Sequence, residues 1–332
     1  MGDMWTVGRK KLKDTFSSRK FLLIFGLFVL MSMASVYTGF QSYEQQMDQF
    51  RNGNSYGPAP EKPSLIDVFQ PMVGFNLPLA ASVLALMLSY SSISREREEG
   101  TIELLLSYPL YRDEVINGKF VAGLFTVSLA LLIAFIASSG LAIYLTGILP
   151  TLQELFRLMF MWQGSVVYMA FFFGLGTLFS VIFRSSRRSL IAGIAFLLLF
   201  LVTPFAAGLA ANLIYPMDVD SGGMVSGTSV ASGSSAAGSM RVTEQDGSAT
   251  EKRREIRQKR EAFQDQVSRI SPTVSYRNFV TTMLGTDYES ESGLKPGVWE
   301  SLGSAIGYLV FLLSETMLVF ATSYAVFMRQ DL

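Results

Sequence analysis

The sequence predicts an all-α integral membrane protein with six transmembrane helices, and three observations carry that prediction. Half of the 332 residues are hydrophobic and only 16% are charged, against about 25% charged in soluble domains. The apolar residues fall in long runs, six of which reach the roughly 20 residues that a helix needs to cross a bilayer core about 30 Å thick. Basic residues gather on alternate sides of those runs.

The predicted spans are Phe21–Phe40, Met72–Ile93, Phe120–Thr146, Leu158–Phe183, Leu190–Tyr215 and Gly303–Met328. Buried helices of a large soluble protein would need amphipathic helices around them, and almost none are visible. The first run is long for a leader peptide and no convincing A-x-A site follows it, so all six spans stand and both termini share one side. Fourteen basic residues, Arg9 to Lys20, Arg95 to Lys119, Arg184 to Arg188 and Arg329, lie on that side. The two short opposite loops hold only Arg51, Lys62 and Arg157. The positive-inside rule therefore places the N- and C-termini in the cytoplasm.

Composition excludes much chemistry. Lys+Arg and Asp+Glu are both 27, so no basic field supports nucleic-acid binding. With no Cys and no His, disulfide scaffolds, thiolate nucleophiles, Cys/His zinc sites, His-ligated haem and a Ser-His-Asp triad are all ruled out. The 16 Met residues are scattered, and without His or Cys they read as packing rather than copper ligands. We expect no metal, cofactor or catalytic residue in this chain.

Outside the spans, residues 1–20 form a basic cytoplasmic segment. Trp5, Gly8, Leu12 and Phe16 fall near one helical face, away from Lys10, Lys11 and Lys13. That suits an amphipathic helix lying in the interface among lipid headgroups; a plain basic flank is the alternative. Residues 21–215 hold spans one to five. Within them, residues 41–71 are Gln-, Asn-, Gly- and Pro-rich, as in a solvated connection. A large extracytoplasmic segment covers 216–302, beginning with a flexible Ser/Gly tether at 221–240. Ser248-Ala-Thr-Glu251 has capping-box spacing and opens a charged helix over about 248–270, closed by Pro272. Its seam of Ile256, Phe263, Val267 and Ile270 suits either a docking helix or one resting on its own domain. Phe279, Val280, Met283 and Leu284 are expected in a half-buried helix at the outer membrane surface. Residues 303–332 complete the chain with the sixth span and a short cytoplasmic tail.

Two features inside the spans bear on function. Glu315 is the one acidic residue central to a span, and an intramembrane charge is costly enough to require a protein-facing site. Tyr308, Glu315 and Thr322 lie seven apart and share a helical face; they line a transport path or proton site, or else fix helix packing by hydrogen bonds. Pro204 is a potential kink in the fifth span, and Ala206, Ala207, Gly208, Ala210 and Ala211 permit close helix approach, as do Gly174 and Gly176 in the fourth.

The cytoplasmic loop over residues 94–119 carries the most information. It runs from a charged stretch through a break at Gly100 into a short helix opened by Thr101 and closed by Pro109. Glu103 sits in its first turn, where a carboxylate favours the positive helix end. Ile102, Leu104, Leu105, Leu106 and Tyr108 are too apolar for a water-exposed turn. Each such side chain contributes about 1.5–3 kcal/mol when buried, so this helix has a partner surface.

The pattern E-R-E-x-G-T-x-E-x-L-L-x-x-P, followed by Arg112 and Gly118-Lys119, resembles the hallmark cytoplasmic segment of ABC-2 type transporter permeases. It is carried here by Glu96, Glu98, Gly100, Thr101, Glu103, Leu105, Leu106 and Pro109. The resemblance extends to the basic N-terminus, the six-span layout and the large segment before the last span. Ser271-Pro-Thr-Val-Ser-Tyr276 is similar to one subgroup of that family. The resemblance implies that Glu96, Glu98, Gly100, Thr101, Ile102, Glu103, Leu105, Leu106 and Pro109 belong to a coupling helix seated in a cytoplasmic ABC ATPase. It implies two ATPase copies holding ATP and Mg, a second permease copy, export, and residence in the cell membrane. The chain has no G-x-x-x-x-G-K-[ST] motif of its own, so it is expected to be no enzyme itself. A secondary transporter or a membrane anchor built on Glu315 is the alternative, but it would be expected to show internal repeats and several intramembrane charges.

Overall fold

The computed structural model describes residues 18–52, 63–100, 112–214, 255–260, 262–263, 271–285 and 297–329. Among them the fold is helical throughout. Helix α1 covers Arg19–Asn52. A 3-10 turn at Leu65–Phe69 and a π turn at Met72–Asn76 lead into α2, Leu77–Ser89, and the short α3, Ser94–Glu98. Then come α4 (Arg112–Thr146), α5 (Leu152–Ile182), α6 (Ser186–Ile214), α7 (Pro272–Leu284) and α8 (Val298–Arg329). Six stretches are long and apolar enough to cross a membrane: α1, Leu77–Glu98, and parts or all of α4, α5, α6 and α8. The six predicted crossings are therefore all present. The predicted interfacial helix and the Ser/Gly tether lie outside the described residues.

The chain divides into two units, Val202–Ser271 and the remainder. The larger is built around α5, of whose apolar window 78% is buried, against 17% for the window in α6. Helix α5 starts earlier than hydropathy suggests. The Thr151 hydroxyl accepts from the Glu154 amide while the Glu154 carboxylate accepts from the Thr151 amide at 2.7 Å, a capping box that starts the helix six residues before the predicted apolar run. Glycines then let neighbours approach. A Cβ at Gly176 would lie 2.0 Å from the Ser89 hydroxyl of α2, and one at Gly164 would lie 2.3 Å from the Phe279 ring of α7.

Three expectations need correction. Residues 41–71 are not simply a solvated connection. Helix α1 continues to Asn52 with Tyr43 buried, and Leu65, Ile66, Val68 and Phe69 are buried in the core. Gly39 makes room for them, since a Cβ there would lie 1.9 Å from the Val68 carbonyl oxygen. The turn's polar residues mask an apolar plug whose amide and carboxylate needs are met locally: the Asp67 carboxylate accepts from the Ser64 amide at 2.7 Å.

The helix at Phe279–Leu284 is not half-buried at a surface. Val274, Tyr276, Phe279, Val280, Met283 and Leu284 are all buried. Helix α7 packs on α5 and α8, with Tyr276 2.7 Å from the Ser165 hydroxyl and Thr273 3.3 Å from the Tyr168 hydroxyl. Its far end meets Arg157, and Arg157 to Tyr168 is about 16 Å of helix at 1.5 Å per residue. Pro272 opens this helix inside the bundle, at a position where its missing amide donor is harmless. Arg157, counted above as a loop residue, lies within α5. It is buried, and its guanidinium donates to the Met283 carbonyl, a cation at the negative end of α7.

In the smaller unit, α6 continues through Pro204 to Ile214, so the proline does not end the helix. Ala207 and Ala211 are buried there. Residues 255–260 are helical, as expected of the charged helix, and Ile256 and Phe263 form a half-buried seam. Val267 and Ile270 lie outside the described residues.

Candidate functional site

The described part of the predicted coupling segment is its stem, Ser94–Gly100, together with the start of α4. Residues 101–111, and with them Thr101, Ile102, Glu103, Leu105, Leu106 and Pro109, lie outside the described residues. The stem sits where α2, α4, α5 and α8 meet over a small apolar cluster of Ile93, Ile116, Val181 and Phe327. Gly100 ends it with φ +68°, a left-handed conformation that other residues adopt only with strain. The break predicted there is real.

Helix α3 has only five residues, too short to stand alone. Its stability comes from its neighbours. The Ser180 hydroxyl of α5 accepts from the Ile93 and Ser94 amides at 2.8 and 2.9 Å. It caps α3 from another helix, because Ile93 at the N-cap position has no side-chain acceptor. Three consecutive residues of α3 then reach three different spans. Glu96 pairs with Lys119 of α4, whose ammonium also donates to the Ser92 carbonyl at 3.0 Å. Arg97 donates to the Val181 carbonyl at the end of α5, at 3.0 Å. The Glu98 carboxylate accepts from the Ser186 amide and hydroxyl at the start of α6, at 2.9 and 2.8 Å.

The neighbouring pair points outward. Arg95 and Glu99 form an exposed ion pair at 2.8 Å, which contributes little to stability. They border two adjoining openings of about 500 and 580 Å³ that share Lys20, Tyr90 and Ser91. A cleft of mixed charge therefore lies beside the stem, between the starts of α1 and α6 and the end of α2.

The second candidate site is partly assembled. Tyr308 and Glu315 are half-buried along one edge of α8, whereas Thr322 is exposed and its hydroxyl donates to the Leu318 carbonyl of its own helix at 2.8 Å. One Glu315 carboxylate oxygen is buried with no hydrogen-bond partner among the described residues.

Sequence reasoning missed Ser180, Ser186 and Arg97. Ser180 is a single polar residue in an apolar run, and Ser186 reads as part of a basic loop. Nothing local ties either one to α3, some 86–88 residues away.

Among the described residues, an all-helical bundle with six helices long and apolar enough to cross a membrane, and a charged stem between the second and third, has the build of a polytopic membrane protein. Residues 5–332 match the profile of the ABC-2 family transporter proteins, and the chain belongs to that family. It is a permease subunit of an ABC transporter, not itself the ATPase, and such permeases work with an ABC ATPase subunit. It is 32% identical over 214 residues to the "Probable ABC transporter permease protein NosY" of Pseudomonas aeruginosa, covering 64% of this chain and 71% of that one. The protein of the same description from Stutzerimonas stutzeri is 32% identical over 149 residues, covering 45% of this chain and 49% of that one.

Proposed function

We propose that this chain forms the translocation path of an exporter as a homodimer in the cell membrane, with both termini and residues 94–119 cytoplasmic. In this reading the segment after Gly100 seats as a coupling helix in a separate ABC ATPase subunit, of which each complex holds two copies. ATP and Mg are held by that subunit. The segment at 216–302, apart from the inserted α7, is extracytoplasmic.

The observation that carries the reading is the stem. A five-residue helix fastened to α4, α5 and α6 directly precedes the apolar residues Ile102, Leu105 and Leu106, and force applied to them reaches the bundle through it. Dimerisation suits α6, whose Ile191, Leu198 and Leu199 are exposed and gain burial against a second copy. The Tyr308–Glu315 edge of α8 then offers a polar strip for the transported molecule.

The test uses the chain purified from membranes together with its ATPase subunit. Burial of Leu105 contributes about 1.5–3 kcal/mol, so Leu105→Asp is expected to weaken co-purification by about tenfold or more. Gly100→Pro, which cannot take a positive φ, is expected to leave the chain inserted but its ATP hydrolysis uncoupled from transport. Unchanged capture and fully coupled turnover in both variants would overturn the coupling role.

A further inference from the structure

We infer that Glu96, Arg97 and Glu98 are positioning residues that divide the motion of the coupling segment among α4, α5 and α6. The inference rests on the function proposed above and names the route within this chain. Successive residues of an α-helix point about 100° apart, so three in a row sweep an arc that meets three neighbours. Here each neighbour is the end of a different span: Lys119 in the early turns of α4, the Val181 carbonyl in the last turn of α5, and the Ser186 amide at the first residue of α6.

The charges are matched to those ends. Helix ends leave unpaired amides at the N-terminus and unpaired carbonyls at the C-terminus, with partial charges of opposite sign. The acidic Glu98 meets the amide end of α6, and the basic Arg97 meets the carbonyl end of α5. Helix α5 replies through Ser180, which caps α3 in turn. Helix α3 thus straddles the turn between α5 and α6 and holds both sides of it. Reversing the charges at 97 and 98 would place like partial charges together at both contacts.

The links also differ in solvent access, which ranks them. The side chains of Lys119 and Glu96 are 6% and 26% exposed, whereas the Glu98 contacts to Ser186 are at the exposed surface. Water screens an exposed contact, whereas separating a largely buried ion pair leaves a charge without its partner and costs more. Helix α4 is therefore expected to move with α3 as one body, and α6 to follow through the looser link. Arg95 and Glu99, paired to one another and open to solvent, are left for an outside surface.

This sequence contains no cysteine, so pairs of cysteines can be introduced into it and spin-labelled before it is assembled with its ATPase subunit. Leu23 on α1, Ile191 on α6 and Val121 on α4 are exposed and near this end. The Leu23–Ile191 distance reads α6 and the Leu23–Val121 distance reads α4, with and without ATP. In Glu98→Ala the ATP-driven shift is expected to be lost at Ile191 and kept at Val121. In Glu96→Gln it is expected to be lost at Val121 and kept at Ile191. Ser186→Ala probes the Glu98 link from its other side and is expected to reduce the Ile191 shift should Glu98→Ala fail to accumulate. Equal effects of Glu96 and Glu98 variants on both distances, or no effect on either, would overturn the division of motion. An ATPase captured by the native chain but lost from Glu98→Ala would make Glu98 a docking residue and overturn this assignment alone. A native chain that captures no ATPase would instead remove the functional reading on which it rests.

Discussion

At one end of α5, Ser180 and Val181 exchange hydrogen bonds with α3, and charged side chains cross to α4 and α6. Toward the other end, α5 meets the buried helix α7, through the Phe279 ring over Gly164 and the stacked rings of Tyr168 and Tyr276, 4.6 Å apart. The first end is specified by pairs of polar atoms, several of them open to water. The second combines close packing, with the Phe279 ring where a Cβ on Gly164 would sit, with polar pairs shut away from water, Tyr276 with Ser165 and Arg157 with the Met283 carbonyl. Polar pairs near water can break and re-form at little net cost, whereas a close-packed core resists any displacement. Under the function proposed above, the difference suits a first end that moves with the ATPase subunit and a second that holds its packing.

The sharpest way to break the close packing on α1, against the Leu65–Phe69 turn that also touches α5, is Gly39→Val. Its Cβ would overlap the Val68 carbonyl oxygen, a backbone atom that cannot rotate away. We expect a loss of about 3 kcal/mol, read as a marked fall in thermal midpoint in detergent; an unchanged midpoint would mean that the Leu65–Phe69 turn is not held against α1. Arg157→Met comes next. It keeps the buried stem and removes the charged donor to the Met283 carbonyl, at an expected cost of about 2 kcal/mol. Hydrogen exchange should rise at the end of α7 and not in α3, and a rise in both would mean the two ends are not independent. The smallest effect is expected from Ser180→Ala, which uncaps α3 at about 1 kcal/mol. Its signature is faster exchange at the Ile93 and Ser94 amides with the thermal midpoint nearly unchanged, alongside an Arg95→Ala control expected to cost under about 0.5 kcal/mol. Protection equal to the native chain would show that α3 does not depend on α5.

The six crossings were legible because the transfer of apolar side chains into lipid is additive along the chain and needs no knowledge of neighbours. The break at Gly100 was legible for a similar reason: glycine after a charged stretch is a local conformational signal. The boundaries slipped where a cap rather than hydropathy set them, as at Thr151-Leu-Gln-Glu154. The buried turn at Leu65–Phe69 was obscured by its own polar flanks, and α7 was placed at a surface because its apolar residues are too few to cross a membrane.

Sequence alone was enough for the helical class and for the six helices long and apolar enough to cross a membrane, since each depends on residue type and spacing within one stretch. Tertiary structure alone decided that α5 is the central helix, that α7 is sunk into the bundle, and that Glu96, Arg97 and Glu98 answer to three separate spans. Those outcomes depend on pairs such as Glu98 with Ser186, 88 residues apart. Hydrogen bonds and close packing act over a few ångström in space, and only the folded chain determines which distant residues come that near.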